Sequence, residues 1–430
     1  EAPTFDNTIA ALDYAGETLS KVAGVFFNMM AANTSEELQK VNEQVGPMMA
    51  THSDNISMNA KLFEKIKAVY DAKDSQNYTG EQLALLEKTY NKFVRSGALL
   101  DAAKQEELRK VNAELTKVEA KFDANLLKES KAYQLVIDKE ENLKGLPQGE
   151  IEKAAALAKQ KGQEGKWIFT LDNPSFMPFV TYADNRDLRK EIFNARVNRC
   201  NNGGETDNNA LVAQMSELRA KKAQLLGYET FAHYQLEERM AKEPKAVFDL
   251  LENLLSYSVK VAKEEATQFQ AMLSKDVPGA TLEAWDMYYY AEKVRQQKYN
   301  FDAELTRPYF EINNVRQGCF DVLTKLYGIS FTERKDVSVY AEDVLAFEAK
   351  NEKGEHVGIL YWDPYTRASK GSGAWCNEYR GQSRKDGKNI TPVITVCFNY
   401  AKSPNGPTTL TADEALTVFH EMGHAIHQLL

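Results

Sequence analysis

The sequence predicts a mainly α protein carrying a small β-sheet just ahead of its last helix. Three observations predict it. Apolar residues recur at spacings of three and four through the first two-thirds, short β-type runs begin near residue 337, and one strongly capped helix follows them. The 430 residues are 43% hydrophobic and 27% charged, the balance of an ordinary globular protein. That length is enough for two to three domains. Net charge is −9 with Lys and Arg spread along the chain, which argues against a nucleic-acid partner. No apolar run approaches the length of a membrane span.

The clearest helix is expected over 102–129, where Leu108, Val111, Leu115, Val118, Phe122 and Leu126 form one apolar stripe behind a capping Asp101. Such a stripe belongs to a bundle and carries no chemistry. Breaks are expected at Gly145-Leu146-Pro147-Gln148-Gly149 and at Asp172-Asn173-Pro174-Ser175. Helix should return over 211–240, interrupted at Gly227-Tyr228, and again over the aromatic-rich 285–299. Short strands are expected at 337–340, 344–348, 358–362 and 393–398. A strand at the edge of such a sheet can hold an extended peptide by backbone pairing. The run 358–362, with Gly358 and Tyr361, is the expected edge. Gly371-Ser372-Gly373-Ala374 lacks the spacing of a phosphate loop. Its Gly373 and Ala374 are expected where backbone approaches substrate closely, with a plain connecting loop as the alternative.

The last helix is the most informative element. Thr411-Ala412-Asp413-Glu414 is an S/T-x-x-E capping box that starts it at Ala412. Leu416, Phe419, Gly423 and Ile426, widened by Val418, Met422, Ala425 and Leu429, predict a helix buried around much of its circumference. Within it stands His420-Glu421-Met422-Gly423-His424, an H-E-x-x-H string. Two histidines four apart project from one side, one turn apart, so both imidazoles can reach one zinc ion. Glu421 is then placed to take a proton from water activated by the metal. Gly423 costs about 1 kcal/mol relative to alanine at mid-helix, which suggests a close approach to the backbone there. His427 shares the face but lies about 10 Å along the axis from His420, too far for one ion to hold all three. It is expected to pack or to support a ligand.

The chain begins at Glu1 without methionine and ends at Leu430 in mid-helix, so both ends look cut. The third zinc ligand is therefore expected after Leu430, with Glu378 and His356 as upstream alternatives. Residues 1–430 alone are expected to be inactive. Cys200, Cys319, Cys376 and Cys397 are scattered without C-x-x-C spacing, compatible with a reducing compartment. A cytoplasmic location is expected, with the periplasm or export after signal removal as the alternative.

The chain resembles the thimet oligopeptidase family of zinc peptidases, which includes oligopeptidase A and bacterial peptidyl-dipeptidase, over nearly its whole length. The likeness is carried by Asn399-Tyr400, Pro404-Asn405-Gly406 and the run from Thr411 to His427. It is also carried by Leu225-Leu226-Gly227-Tyr228, Met240-Ala241, Tyr289-Tyr290-Ala291-Glu292 and Arg307-Pro308-Tyr309-Phe310. Ser372-Gly373-Ala374-Trp375 resembles the peptidyl-dipeptidase branch in particular, while Met422 stands where the family usually has phenylalanine. The resemblance implies a two-lobed, mainly α metallopeptidase with a deep central channel and a small sheet next to the zinc helix. Residues 1–100 and 291–430 would form the zinc lobe and 101–290 the other. One Zn2+ per chain would be held by His420 and His424, with Glu421 as catalytic base. The third ligand, a glutamate, and the tyrosine and histidine that stabilise the transition state would lie on later helices.

The expected function is hydrolysis of short unfolded peptides by a monomer, with release of C-terminal dipeptides preferred over internal cleavage. Arg367, Lys370 and Arg380 could hold a substrate carboxylate, with solvated surface charge as the plainer alternative. A helical binding protein with an incidental H-E-x-x-H is the reading from another class.

Overall fold

The computed structural model describes residues 1–301 and 303–430. Helix dominates, and one five-stranded sheet directly precedes the last helix. The chain divides into two compact units.

The first unit comprises Glu1–Leu19, Glu36–Leu126 and Cys200–Ser258. One core gathers Phe5, Ile9, Phe63, Ile66, Val69, Leu86 and Phe93. The long helix expected from the apolar stripe runs Ala102–Ala132, with Leu108, Val111, Leu115 and Val118 buried and Phe122 and Leu126 half-buried. Arg219 bonds Glu119 at 2.8 Å and Gln214 bonds Glu114 at 3.0 Å, lacing that helix to Asn209–Leu225.

The second unit comprises Ser20–Ser35, Leu127–Arg199 and Val259–Leu430. It holds a small antiparallel ribbon, β1 (Leu135–Ile137) with β2 (Trp167–Phe169), and the larger sheet. The latter contains β3 (Ser330–Glu333), β4 (Leu345–Lys350), β5 (His356–Tyr365), β6 (Trp375–Arg380) and β7 (Val393–Tyr400), in the order β3-β4-β5-β7-β6. Only β5 and β7 run parallel. Side chains alternate across a strand, so Leu360 and Trp362 share one face with Ile394, Val396 and Phe398. That face joins helices Ile312–Tyr327 and Ala412–Leu429 in a single core. The opposite face carries Asp363, Thr395 and Cys397, also fully buried. Cover on both faces explains why β5 and β7 read as nearly continuous apolar runs.

Two expectations about strands are corrected. Residues 337–340 form no strand. Side chains have captured their carbonyls: Tyr361 Oη donates to Ser338 O at 3.1 Å and Asn33 Nδ2 to Tyr340 O at 3.1 Å. The run 358–362 is no edge either, because β5 pairs with β4 on one side and β7 on the other. Gly358 and Tyr361 therefore cannot offer a free backbone to a peptide. The edges are β3 and β6.

Gly358 has a different reason to be glycine. A Cβ there would lie 2.8 Å from Pro392 O and 2.8 Å from Leu429 Cδ2, at the end of the last helix. We expect Gly358→Ala to lower stability by about 1–3 kcal/mol, as overpacked cores do. Denaturant unfolding followed by tryptophan fluorescence measures it, and an unchanged midpoint would show that the contact yields freely.

Candidate metal centre

The last helix starts where the capping box predicts. Thr411 Oγ1 accepts from Glu414 N at 3.1 Å and Glu414 Oε2 accepts from Thr411 N at 2.8 Å, satisfying two backbone donors at once. Ala415, Val418, Met422, Ala425, Ile426 and Leu429 are buried against the sheet and helix Ile312–Tyr327. The other side is open. Leu416 is 66% exposed and Phe419 43%, and His420, Gly423, His424 and His427 are exposed as well. The expectation of an all-round buried helix is thus corrected, because one apolar stripe has a partner and the other is exposed among the described residues. Nothing among the described residues lies within 4 Å of where a Cβ on Gly423 would stand, so the expected close approach is not found. His427 is exposed.

Exposure brings the two histidines together rather than separating them. Their Nε2 atoms are 3.3 Å apart and the rings meet edge-to-face, with centroids 4.9 Å apart. Two nitrogens each about 2.0–2.1 Å from one tetrahedral ion would be separated by about 3.3 Å, so the donor pair fits zinc. Glu421 is buried, 6% exposed, and lies within electrostatic reach of both histidines. Burial pushes its carboxyl above the usual range, opposed by His420 and His424. Among the described residues, no three His, Cys, Asp or Glu side chains gather where they could hold a metal. Neither upstream candidate is gathered with the motif histidines. His356 contacts Glu348 at 3.0 Å and Thr391 at 3.2 Å, and Glu378 lies on β6.

β6 passes beside this helix. Cys376 Sγ is 3.5 Å from Gln428 Oε1. Burial, reinforced by the Glu421 carboxylate, pushes its thiol up to about 12. Gly373 and Ala374 lead into this strand. Asn399 Nδ2 donates to Gly371 O and Gly373 O, both at 2.7 Å, so the glycine loop is held and not slack. Neither Cys376 nor Asn399 was legible as a site residue, since each stands alone in sequence and acquires its neighbours only through the sheet.

The cationic candidates resolve into structure. Lys370 is fully buried; its Nζ contacts Asp363 Oδ1 at 3.0 Å and donates to Asp363 O and Tyr365 O at 3.0 Å and to Phe398 O. Arg367 pairs with Asp363 through both of its terminal nitrogens, and Tyr340 Oη adds a third bond at 2.8 Å. Neither cation is solvated surface charge, and neither is free for a substrate carboxylate. Arg380 Nε donates to Thr391 O at 2.9 Å. A cavity of about 590 Å³ elsewhere in the unit is lined by Lys131, Lys153, Asp172 and Lys402 among others, and by none of His420, Glu421 or His424. Lys131 pairs there with Asp172 at 3.0 Å and Lys153 with Glu150 at 2.9 Å. A hollow lined by none of the motif residues is not the candidate metal centre.

The comparisons with known proteins agree with the motif. Residues 179–430 match Peptidase family M3. The chain belongs to that family. Dipeptidyl carboxypeptidase of Escherichia coli (strain K12) is 34% identical over 431 residues, covering all of this chain and 63% of the relative. Oligopeptidase A of Escherichia coli (strain K12) is 32% identical over 436 residues, covering 99% of this chain and 64% of the relative. Organellar oligopeptidase A of Arabidopsis thaliana is 30% identical, covering all of this chain and 56% of the relative. This M3 chain thus spans less than two-thirds of the length of these relatives.

We expect Lys370→Ala to destabilise this M3 chain by about 3–5 kcal/mol, the range for stranding one partner of a buried ion pair. Arg380→Ala should change stability by about 0.5 kcal/mol or less. Comparable small losses in both would mean that Lys370 is not the buried anchor described.

Proposed function

We propose that the intact protein is a zinc-dependent peptidase acting on short unfolded peptides, with one zinc ion held by His420 and His424. The observation that carries this reading is the 3.3 Å approach of two imidazole nitrogens on an open helix face beside a buried carboxylate. Family membership supports it. A bound zinc ion would supply a Lewis acid that polarises a carbonyl and lowers the pKa of water toward about 7.

The chain's own residues do the rest. Glu421 takes a proton from water as that water's oxygen bonds to the scissile carbonyl carbon. It then gives the proton to the amine nitrogen as the C–N bond breaks, leaving a carboxylic acid and an amine. β6, a true edge with Gly373 and Ala374 at its start, replaces β5 as the strand that holds the peptide extended. The third ligand and the oxyanion-stabilising groups are proposed to lie beyond Leu430, which leaves residues 1–430 inactive by themselves.

Release of C-terminal dipeptides is the preferred mode, because relatives named dipeptidyl carboxypeptidase stand at 34–35% identity. Oligopeptidase A relatives at 32% keep internal cleavage as the second reading. The division into lobes of 1–100 with 291–430, and of 101–290, is part of the proposal for the whole protein. So are a monomeric state and a cytoplasmic location. No helix among the described residues is long and apolar enough to cross a membrane.

In the intact protein, His420→Ala and His424→Ala should each lower zinc content by elemental analysis. Glu421→Gln should keep its zinc and lose about 10²–10⁴-fold in turnover. Full metal in both histidine variants, or near-normal hydrolysis by the glutamine variant, would remove the corresponding role.

A further inference from the structure

The free edge of β6 is closed at one end by a residue some 350 positions away in the chain. Asn28, on helix Glu17–Ala32, donates from Nδ2 to Glu378 O at 2.8 Å. That carbonyl therefore faces away from β7. Backbone groups of alternate residues in a strand point to the same side, which puts the N–H and C=O of Cys376 on the same free edge. At Glu378, the acceptor a peptide would use is already taken. One residue further, Tyr379 O lies against the helix backbone at Gly24, where a Cβ would come within 3.1 Å. An extended chain running along β6 meets this helix and can go no further.

The obstruction is rigid. Asn28 is 6% exposed, and its Nδ2 also donates to Gly24 O at 2.8 Å, which fixes the amide. Its Oδ1 is buried without a partner, a costly arrangement to keep for packing alone. The following residues are stitched to the loop that leads into β6. Gly371 N donates to Ala31 O at 2.9 Å, Thr34 N to Ser369 O at 2.7 Å, and Ser369 Oγ to Asn33 Oδ1 at 2.7 Å. Asn399 fixes the other end of the edge through Gly371 and Gly373. What stays open is a short window around Cys376, the stretch that runs beside Gln428 of the motif helix.

We propose that Asn28 is the stop that limits how many residues of an extended peptide pair with β6, and thereby selects which bond of the peptide is cut. It is a positioning residue, and its role rests on the peptidase reading above. Removing the amide, or replacing its donor with a carboxylate oxygen, frees Glu378 O and lengthens the window, so the peptide slides along the strand.

The test uses the intact protein and one oligopeptide sequence made in a series of lengths. Product lengths are read by mass spectrometry, with kcat and KM measured for each. Asn28→Ala and Asn28→Asp should both move the scissile bond along the peptide and yield longer products on the side that the helix closes. Loss of stability alone lowers the rate at every length and leaves the scissile bond where it was. An unchanged product set in well-folded variants overturns the proposal. If the variants do not fold, hydrogen exchange decides it in Glu421→Gln with the longest peptide bound. Slowed exchange at Cys376 that stops before Tyr379 supports the stop, and slowed exchange running through Tyr379 and Arg380 overturns it. An intact wild-type protein that is as silent as Glu421→Gln on every peptide would instead defeat the peptidase reading, and this inference with it.

Discussion

Burial of one face of helix Ala412–Leu429 against the sheet sets the geometry of the whole site. Val418, Met422, Ala425 and Leu429 share a core with Leu360, Ile394, Val396 and Phe398. A fully buried Val, Leu or Met side chain contributes about 1.5–3 kcal/mol each. That outweighs several times the roughly 1 kcal/mol lost by a glycine at mid-helix, so Gly423 can stand inside the motif. Because the face is fixed, the rotation of the helix is fixed. His420 and His424 then lie on the exposed side, one turn apart, while Glu421 is buried within reach of both.

The sheet can position that helix because its other face is held by charge rather than by apolar packing. Asp363 is fully buried, yet it accepts from Arg367 and Tyr340 and pairs with Lys370. Burying that side chain without those partners would be costly. The same network ties down the loop between β5 and β6, since Lys370 reaches Phe398 O on β7 and Arg367 reaches Ala32 O. The strand beside the candidate metal centre is thus placed by contacts made on the far side of the sheet. Loss of Lys370 would be felt at β6 although the two faces never touch.

Much of this was legible in sequence, and the rest was hidden for identifiable reasons. The capping box, the H-E-x-x-H spacing and the runs at 344–348, 358–362 and 393–398 are local signals, and each element formed where its signal stood. β6 was missed because Trp375-Cys376-Asn377-Glu378-Tyr379-Arg380 shows no apolar alternation; it is a strand through its partner β7, which follows it in the chain. The order of strands, which makes β5 interior, is a property of the fold and leaves no trace in periodicity. Apolar residues on the motif helix were read correctly, but periodicity does not reveal which stripe finds a partner. Leu416 and Phe419 are exposed for that reason. Lys370 looked like surface charge because its counter-ion is recognisable only once β5 is folded.

The most direct measurement is the zinc affinity of residues 1–430 by themselves, determined by competition with a chromophoric chelator. Two imidazoles leave half of a tetrahedral shell to water, and each missing protein donor removes a direct metal bond. Weak binding that His420→Ala or His424→Ala abolishes is the predicted result. Tight, stoichiometric binding that survives loss of either histidine would contradict the assignment of this helix as the metal centre.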